Sequence, residues 1–187
     1  MVSILILGLL TLSASPNQPA GQSGGTAPPA KAAHAASHAA TDPYVLLRLY
    51  DGKWNLVFAN GQKPGEAVHL ENHCAKAGEF FACNQIVNGK NTALVIFLPL
   101  HPLENGGYAY RNQAVRVEGD APSTWGNLEI VGDRWVYSSD STDKGKKTYW
   151  RTTNVFSGHD KIHFEAQHSD DGANWTTDMS GDEARAK

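Results

Sequence analysis

The stretch that decides the fold is HLENHCAKAGEFFACNQ, residues 69 to 85, which holds both cysteines of the 187-residue chain. A two-residue turn at Gly78-Glu79 would join two antiparallel strands and place Cys74 directly opposite Cys83. Counted from the turn, this is a non-hydrogen-bonded pair, in which the Cα atoms approach to about 4.5 Å. Since a disulfide fits that separation, the stretch predicts a β-hairpin linked by a disulfide.

The rest of the chain from residue 44 onward shows the same pattern of short strands separated by turns. Runs rich in β-branched and aromatic residues alternate with short segments of Gly, Asn, Asp and Pro. Ten strands are predicted near 53–58, 66–76, 79–87, 91–98, 107–118, 124–131, 134–140, 147–156, 161–168 and 174–180. So many strands must close or split into two sheets, and closure removes the exposed edges. We expect an all-β, antiparallel up-and-down barrel of about eight to ten strands; a sandwich is the alternative.

One short helix is predicted ahead of the first strand. The segment YVLLRLY, residues 44 to 50, follows Asp42-Pro43, and proline is favoured at the start of a helix.

Turn length predicts which side chains face the interior of the later hairpins. A two-residue turn at Gly132-Asp133 places Leu128 opposite Tyr137 and Ile130 opposite Trp135, on one apolar face.

A two-residue turn at Gly158-His159 would likewise place Tyr149 and Arg151 on the same face as Phe164 and His168. A charge on a mostly apolar face needs a partner. Arg151 would therefore either bind the carboxylate of a ligand or stack on an aromatic ring.

The N-terminal region predicts export. Residues 1–15 contain an apolar run, 2–12, that is too short to span a bilayer and is followed by small residues, which is typical of a signal peptide. Residues 16–43 are rich in Pro, Gly, Ala and Ser, have no aromatic residue, and predict a disordered linker. Residues 44–187 form the barrel domain. A periplasmic or secreted location would allow the disulfide to form.

The charge of the chain disfavours two classes of partner. The formal net charge is −3, whereas nucleic-acid binding and docking on anionic lipid both need a basic face. We expect no nucleic-acid partner and no stable membrane insertion after signal removal.

His69, Glu71 and His73 alternate along a predicted strand and point away from the cysteines. Two imidazoles and a carboxylate can bind zinc, but the sequence supplies no fourth ligand. A solvated strand face or a pH-sensitive contact are the other interpretations.

Two short motifs resemble a known family. LYDGKWNL, residues 49 to 56, places Gly52-Lys53-Trp54 at the entry to the first strand, which resembles the lipocalin (calycin) pattern. The C-terminal Asp171-Gly172 turn before Trp175 is similar to closing hairpins of bacterial exported lipocalin-like families of unknown function. The resemblance covers residues 44–187 and implies a small barrel, closed at one end by Trp54, with a lumen that holds a small hydrophobic molecule.

Aromatic and polar residues predicted to face inward form the candidate ligand pocket. They are Trp54, Trp135, Tyr137, Tyr149, Arg151, Phe164, His168 and Trp175. The leading hypothesis is an exported, noncatalytic binding module for a small hydrophobic or carboxylate-bearing molecule, without a cofactor. The alternatives are a metal-binding or interaction protein of the cell envelope that uses His69, Glu71 and His73, or a small barrel enzyme such as a cyclase, isomerase or hydrolase.

Overall fold

The computed structural model describes residues 42–61, 64–118, 123 and 125–187. The predicted signal peptide and nearly all of the predicted linker lie outside these residues. A 3-10 segment, Leu47–Tyr50, precedes ten strands. The strands are β1 Gly52–Asn60, β2 Ala67–Ala77, β3 Phe80–Val87, β4 Lys90–Pro102, β5 Tyr108–Arg116, β6 Gly126–Val131, β7 Arg134–Asp143, β8 Lys146–Ser157, β9 Lys161–Ser169 and β10 Thr176–Arg185. Within the described ranges, no helix has the length and apolar character needed to span a membrane.

The ten strands form one closed antiparallel barrel. Each strand pairs with the next along the chain, and β10 pairs with β1 to complete the ring. The predicted all-β, up-and-down barrel is therefore confirmed. Buried and exposed residues alternate along most strands, because successive side chains point to opposite faces of the sheet.

The predicted N-terminal helix is wrong in type and length. Only Leu47–Tyr50 is helical, and it is a 3-10 segment. Its buried residues, together with Tyr44, recur every third position, which matches the three residues per turn of a 3-10 helix. Gly52, with φ of +114°, then turns the chain directly into β1.

The first two predicted registers are confirmed. Cys74 lies opposite Cys83 and forms a disulfide with it, and their Cα atoms are 4.0 Å apart. Across β6 and β7, the predicted pairs Leu128 with Tyr137 and Ile130 with Trp135 are also present.

The predicted register of the β8–β9 hairpin is wrong by one residue. Ser157 pairs with Lys161, so the turn has three residues rather than two. A shift of one residue exchanges the two faces of a strand. Phe156 consequently faces the interior, where its ring lies 4.7 Å from that of Trp135, and Arg151 faces outward. The pairing of β7 with β8 places Asn154 opposite Trp135 on the inward face, and the three-residue turn keeps Phe164, opposite Asn154, on that same face.

The 3-10 segment covers one end of the barrel, which we call the closed end. Trp54 donates a hydrogen bond through Nε1 to the carbonyl of Tyr50 at 3.2 Å. The guanidinium of Arg185 lies 4.2 Å from the centre of the Trp54 ring and donates to the carbonyls of Leu49 and Asp51 at 2.9 and 2.8 Å. The last strand thereby holds the N-terminal segment across the barrel end.

Candidate functional site in the barrel interior

The interior of the barrel is not uniformly apolar. Five inward-facing polar side chains are at most 1% exposed, and each comes from a different strand. They are Asn72, Gln85, Asn112, Asn154 and Glu183. Polar groups are costly to bury without hydrogen-bond partners, so these residues call for a specific explanation.

Most of their polar atoms have no partner within the described part of the chain. Asn72 donates through Nδ2 to the Tyr50 carbonyl at 3.3 Å, but its Oδ1 makes no hydrogen bond. Neither carboxyl oxygen of Glu183 has a partner. The same holds for both amide atoms of the other three residues, and for three aromatic polar atoms. The aromatic atoms are Tyr50 Oη, Trp135 Nε1 and Tyr137 Oη.

We call these eight residues the interior cluster. It consists of Tyr50, Asn72, Gln85, Asn112, Trp135, Tyr137, Asn154 and Glu183. A buried donor or acceptor left without a partner costs about 1–3 kcal/mol. So many of them in one interior indicate that water or a bound molecule completes their hydrogen bonds.

Glu183 dominates the electrostatics of the cluster. Its neighbours on the adjacent strands are the apolar residues Leu56 and Ile162, and burial raises its pKa from 4.5 to about 8. Burial also raises the pKa values of Tyr50 and Tyr137, and the charge of Glu183 raises both further. The carboxyl group and the two hydroxyl groups therefore interact electrostatically within the interior.

Aromatic rings are also part of the buried interior. The rings of Tyr50 and Trp135 are 6.2 Å apart, and Asn154 pairs with Trp135 across β7 and β8. The buried residues of the described chain include no Lys, Arg or His. The interior thus combines one acid, several amides and aromatic faces, without a cationic side chain.

The structure divides the predicted pocket residues into two groups. Trp54, Trp135, Tyr137 and Phe164 are buried in the interior. By contrast, Tyr149, Arg151, His168 and Trp175 are partly exposed.

The predicted inward orientation of Arg151 is wrong because of the register shift described above. Arg151 donates through Nε and Nη2 to Gln167 Oε1 at 3.0 and 2.7 Å, and its guanidinium lies 4.0 Å from the centre of the Trp175 ring. It stacks on an aromatic ring, but on the outer surface. Arg151 therefore offers no partner for a carboxylate inside the barrel.

His168 lies at the end of the barrel opposite the 3-10 segment, which we call the open end. Its Nδ1 contacts both carboxylate oxygens of Asp178 at 2.8 Å, and its ring lies 5.8 Å from that of Trp150. Trp150 in turn donates through Nε1 to Ser141 at 3.1 Å. These residues form a polar and aromatic rim where β7 and β9 end and β8 and β10 begin.

The predicted histidine face is outward and solvated. His69 contacts Asn55 Oδ1 through Nδ1 at 2.7 Å, whereas His73 contacts Glu71 Oε1 through Nε2 at 2.9 Å. Lys53 lies 3.5 Å from the same Glu71 oxygen. The two histidines thus have separate partners. Among the described residues, no group of three or more His, Cys, Asp or Glu side chains is arranged to hold a metal ion.

A shallow groove of about 250 Å³ runs over part of this outer surface. Its lining includes Lys53, Asn55, His69, Glu71 and Ile86. The polar side chains of the groove interact with one another: His69 contacts Asn55, and Lys53 pairs with Glu71. The groove therefore differs from the interior cluster, whose polar atoms mostly lack such partners within the described residues.

The fold and the interior cluster define a small closed β-barrel with hydrogen-bonding groups in its interior. No protein-family model matches the chain, and no curated protein matches its sequence.

Proposed function

We propose that the protein is an exported, noncatalytic, lipocalin-like binding protein. Its barrel interior would hold one small molecule with an apolar body and a polar, hydrogen-bonding head. The observation that carries the proposal is the interior cluster, whose buried polar atoms lack partners within the described residues. A ligand head that supplies those partners would recover about 1 kcal/mol for each hydrogen bond completed.

Apolar side chains would contact the body of the ligand. Leu56, Leu70 and Phe164 are fully buried on inward faces, and the Phe58 ring packs edge-on against Phe164 at 6.1 Å. Barrels of this size commonly enclose a ligand, with few polar groups to orient it. The buried carboxyl of Glu183 and the outward position of Arg151 favour an uncharged or cationic head over the carboxylate that the sequence predicts.

Entry of the ligand is proposed at the open end. The 3-10 segment and Arg185 cover the closed end through several hydrogen bonds, so that opening it would disrupt them. At the open end, Trp150 and His168 are partly exposed. Movement of these side chains would admit a molecule to the interior without unpairing a strand.

We also propose that the protein is exported from the cytoplasm. The Cys74–Cys83 disulfide is typical of proteins in oxidising compartments, and residues 1–15 have the composition of a signal peptide. The proposed location is the periplasm or the cell exterior.

Native mass spectrometry tests the binding proposal. The protein is isolated from its native source without denaturation, and its mass is compared with that of the same chain after unfolding and washing. We expect one additional small molecule per chain, which is released on unfolding and rebinds when the extract is added back. The proposal would fail if the two masses agreed and no extract component or small-molecule probe raised the melting temperature.

A further inference from the structure

We infer that the ligand head is a primary ammonium group, held by the carboxylate of Glu183 among the rings of Tyr50, Trp135 and Tyr137. This inference rests on the proposed function and specifies the chemistry of the ligand. It follows from the charge, the rings and the hydrogen-bond acceptors of the interior cluster.

The charge balance of the interior favours a cation. Glu183 is 1% exposed, its oxygens have no partner in the described chain, and the described buried residues include no Lys, Arg or His. A cationic ligand would form a charge-assisted hydrogen bond with the carboxylate, about twice as strong as a neutral one. A carboxylate ligand could bind only beside the neutral, protonated form of Glu183, because two negative charges close together in a medium of low polarity repel each other.

The aromatic rings add a second attraction. Tyr50 and Trp135 have ring centres 6.2 Å apart, and Tyr137 is close enough to Tyr50 to raise its pKa after the effects of burial and Glu183. The faces of such rings attract cations, and the attraction is strongest at sites without water.

The hydrogen-bond acceptors favour a primary over a quaternary ammonium. Besides the two oxygens of Glu183, the side-chain oxygens of Asn72 and Asn154 lack partners within the described ranges. A primary ammonium has three N–H donors and no acceptor, whereas a quaternary ammonium has no donor. Only the primary form can complete the hydrogen bonds of several of these oxygens.

The protonation of Glu183 predicts a measurable pH dependence of amine binding. Because burial raises its pKa to about 8, the free protein carries a neutral carboxyl at pH 6, and binding of a cation requires the proton to leave. The titratable groups that interact electrostatically with Glu183 are the hydroxyls of Tyr50 and Tyr137, and its partners on the adjacent strands are the apolar residues Leu56 and Ile162. Affinity for an amine should therefore rise about fifty-fold between pH 6 and pH 8.

Calorimetry with three probes of equal length tests the inference. Hexylamine, 1-hexanol and hexanoate are titrated into ligand-free wild type, Glu183→Gln and the control Glu129→Gln, whose side chain is exposed on β6. We expect wild type to prefer hexylamine at pH 8 and to release about one proton on binding it at pH 6. Glu183→Gln should bind hexylamine at least tenfold more weakly and hexanol unchanged, and Glu129→Gln should match wild type.

Other outcomes separate the two proposals. If hexanol or hexanoate binds at least as tightly as hexylamine, the cationic head is wrong and the binding function stands. If none of the probes binds at millimolar concentration, the inference and the proposed function both fail. The pH dependence in wild type decides the question even if Glu183→Gln does not fold.

Discussion

Replacing Glu183 by glutamine should make the protein more stable at neutral and alkaline pH. The change keeps the shape of the side chain but removes its ionisable group, which is buried and has no partner in the described chain. Burial raises the pKa of this carboxyl from 4.5 to about 8. Between these values the folded protein holds a proton that the unfolded chain has lost.

The sign and size of the effect follow from that difference in protonation. Where the folded state binds more protons, the free energy of unfolding falls as pH rises, by about 1.4 kcal/mol per pH unit. The loss begins near pH 4.5 and levels off above pH 8. From pH 5 to pH 8, the stability difference between Glu183→Gln and wild type should grow by about 3.5 kcal/mol in favour of the variant.

Urea unfolding at pH 5, 6, 7 and 8, followed by tryptophan fluorescence on ligand-free protein, measures this difference. Other titrating groups are the same in both proteins and cancel in the subtraction, and Glu129→Gln controls for loss of an exposed carboxylate. A difference that changes by less than about 1 kcal/mol over this range would refute the reasoning, because the carboxyl would then be solvated or hydrogen-bonded.

Three further predictions concern the stability of the barrel itself. Arg185→Met should lower the free energy of unfolding by about 3 kcal/mol in urea melts, because it removes hydrogen bonds to two backbone carbonyls of the closed end; an unchanged melt would contradict that role. Cys74→Ala/Cys83→Ala should lower the free energy of unfolding by about 2–3 kcal/mol, and dithiothreitol should lower that of the wild type by the same amount. A wild type whose unfolding is insensitive to dithiothreitol would contradict the disulfide. Gly181→Ala should lower the melting temperature by several degrees, because the added Cβ would lie 2.5 Å from a backbone oxygen. An unchanged melting temperature would show that Gly181 does not lie against that oxygen.

The disulfide hairpin shows what the sequence can predict. The register of Cys74 and Cys83 depends on one two-residue turn and on alternation along two strands, both of which are local. The Leu128–Tyr137 pair follows from the same local rule.

The β8–β9 hairpin shows a register that its own turn residues do not determine. The segment after Ser157 permits a turn of two or three residues, and the choice depends on packing of Phe156 against Trp135. Phe156 and Trp135 lie on the consecutive strands β7 and β8, so the contact depends on the pairing of those strands and the residues of the β8–β9 turn alone could not predict it. The error moved Arg151 into the predicted pocket and kept Asn154 out of it.

The sequence does not indicate Glu183 as a residue of the site, for a different reason. The predicted last strand ends at residue 180, and the residues that follow, Gly181, Asp182 and Glu183, have low β propensity. In the structure the strand continues to Arg185 because its pairing with β1 closes the barrel. Closure of the sheet thus overrides local propensity at the residue that matters most for the proposed function.

Asn72 lies on the buried face of β2, opposite the histidine face, and no motif of the sequence indicates a role for it. It continues the alternation of Val68 and Leu70, and all three are buried. A single amide on an apolar face carries little information by itself. Its significance appears only when closure brings it into one interior with the polar residues of four other strands.

A crystal structure of the protein as isolated from its native source, without denaturation, tests the central claim most directly. The account predicts electron density for an organic molecule in the barrel interior, with a nitrogen within hydrogen-bond distance of the Glu183 carboxylate. The account would be contradicted by an interior that holds ordered water alone, with every polar atom of the interior cluster bonded to water or to another side chain.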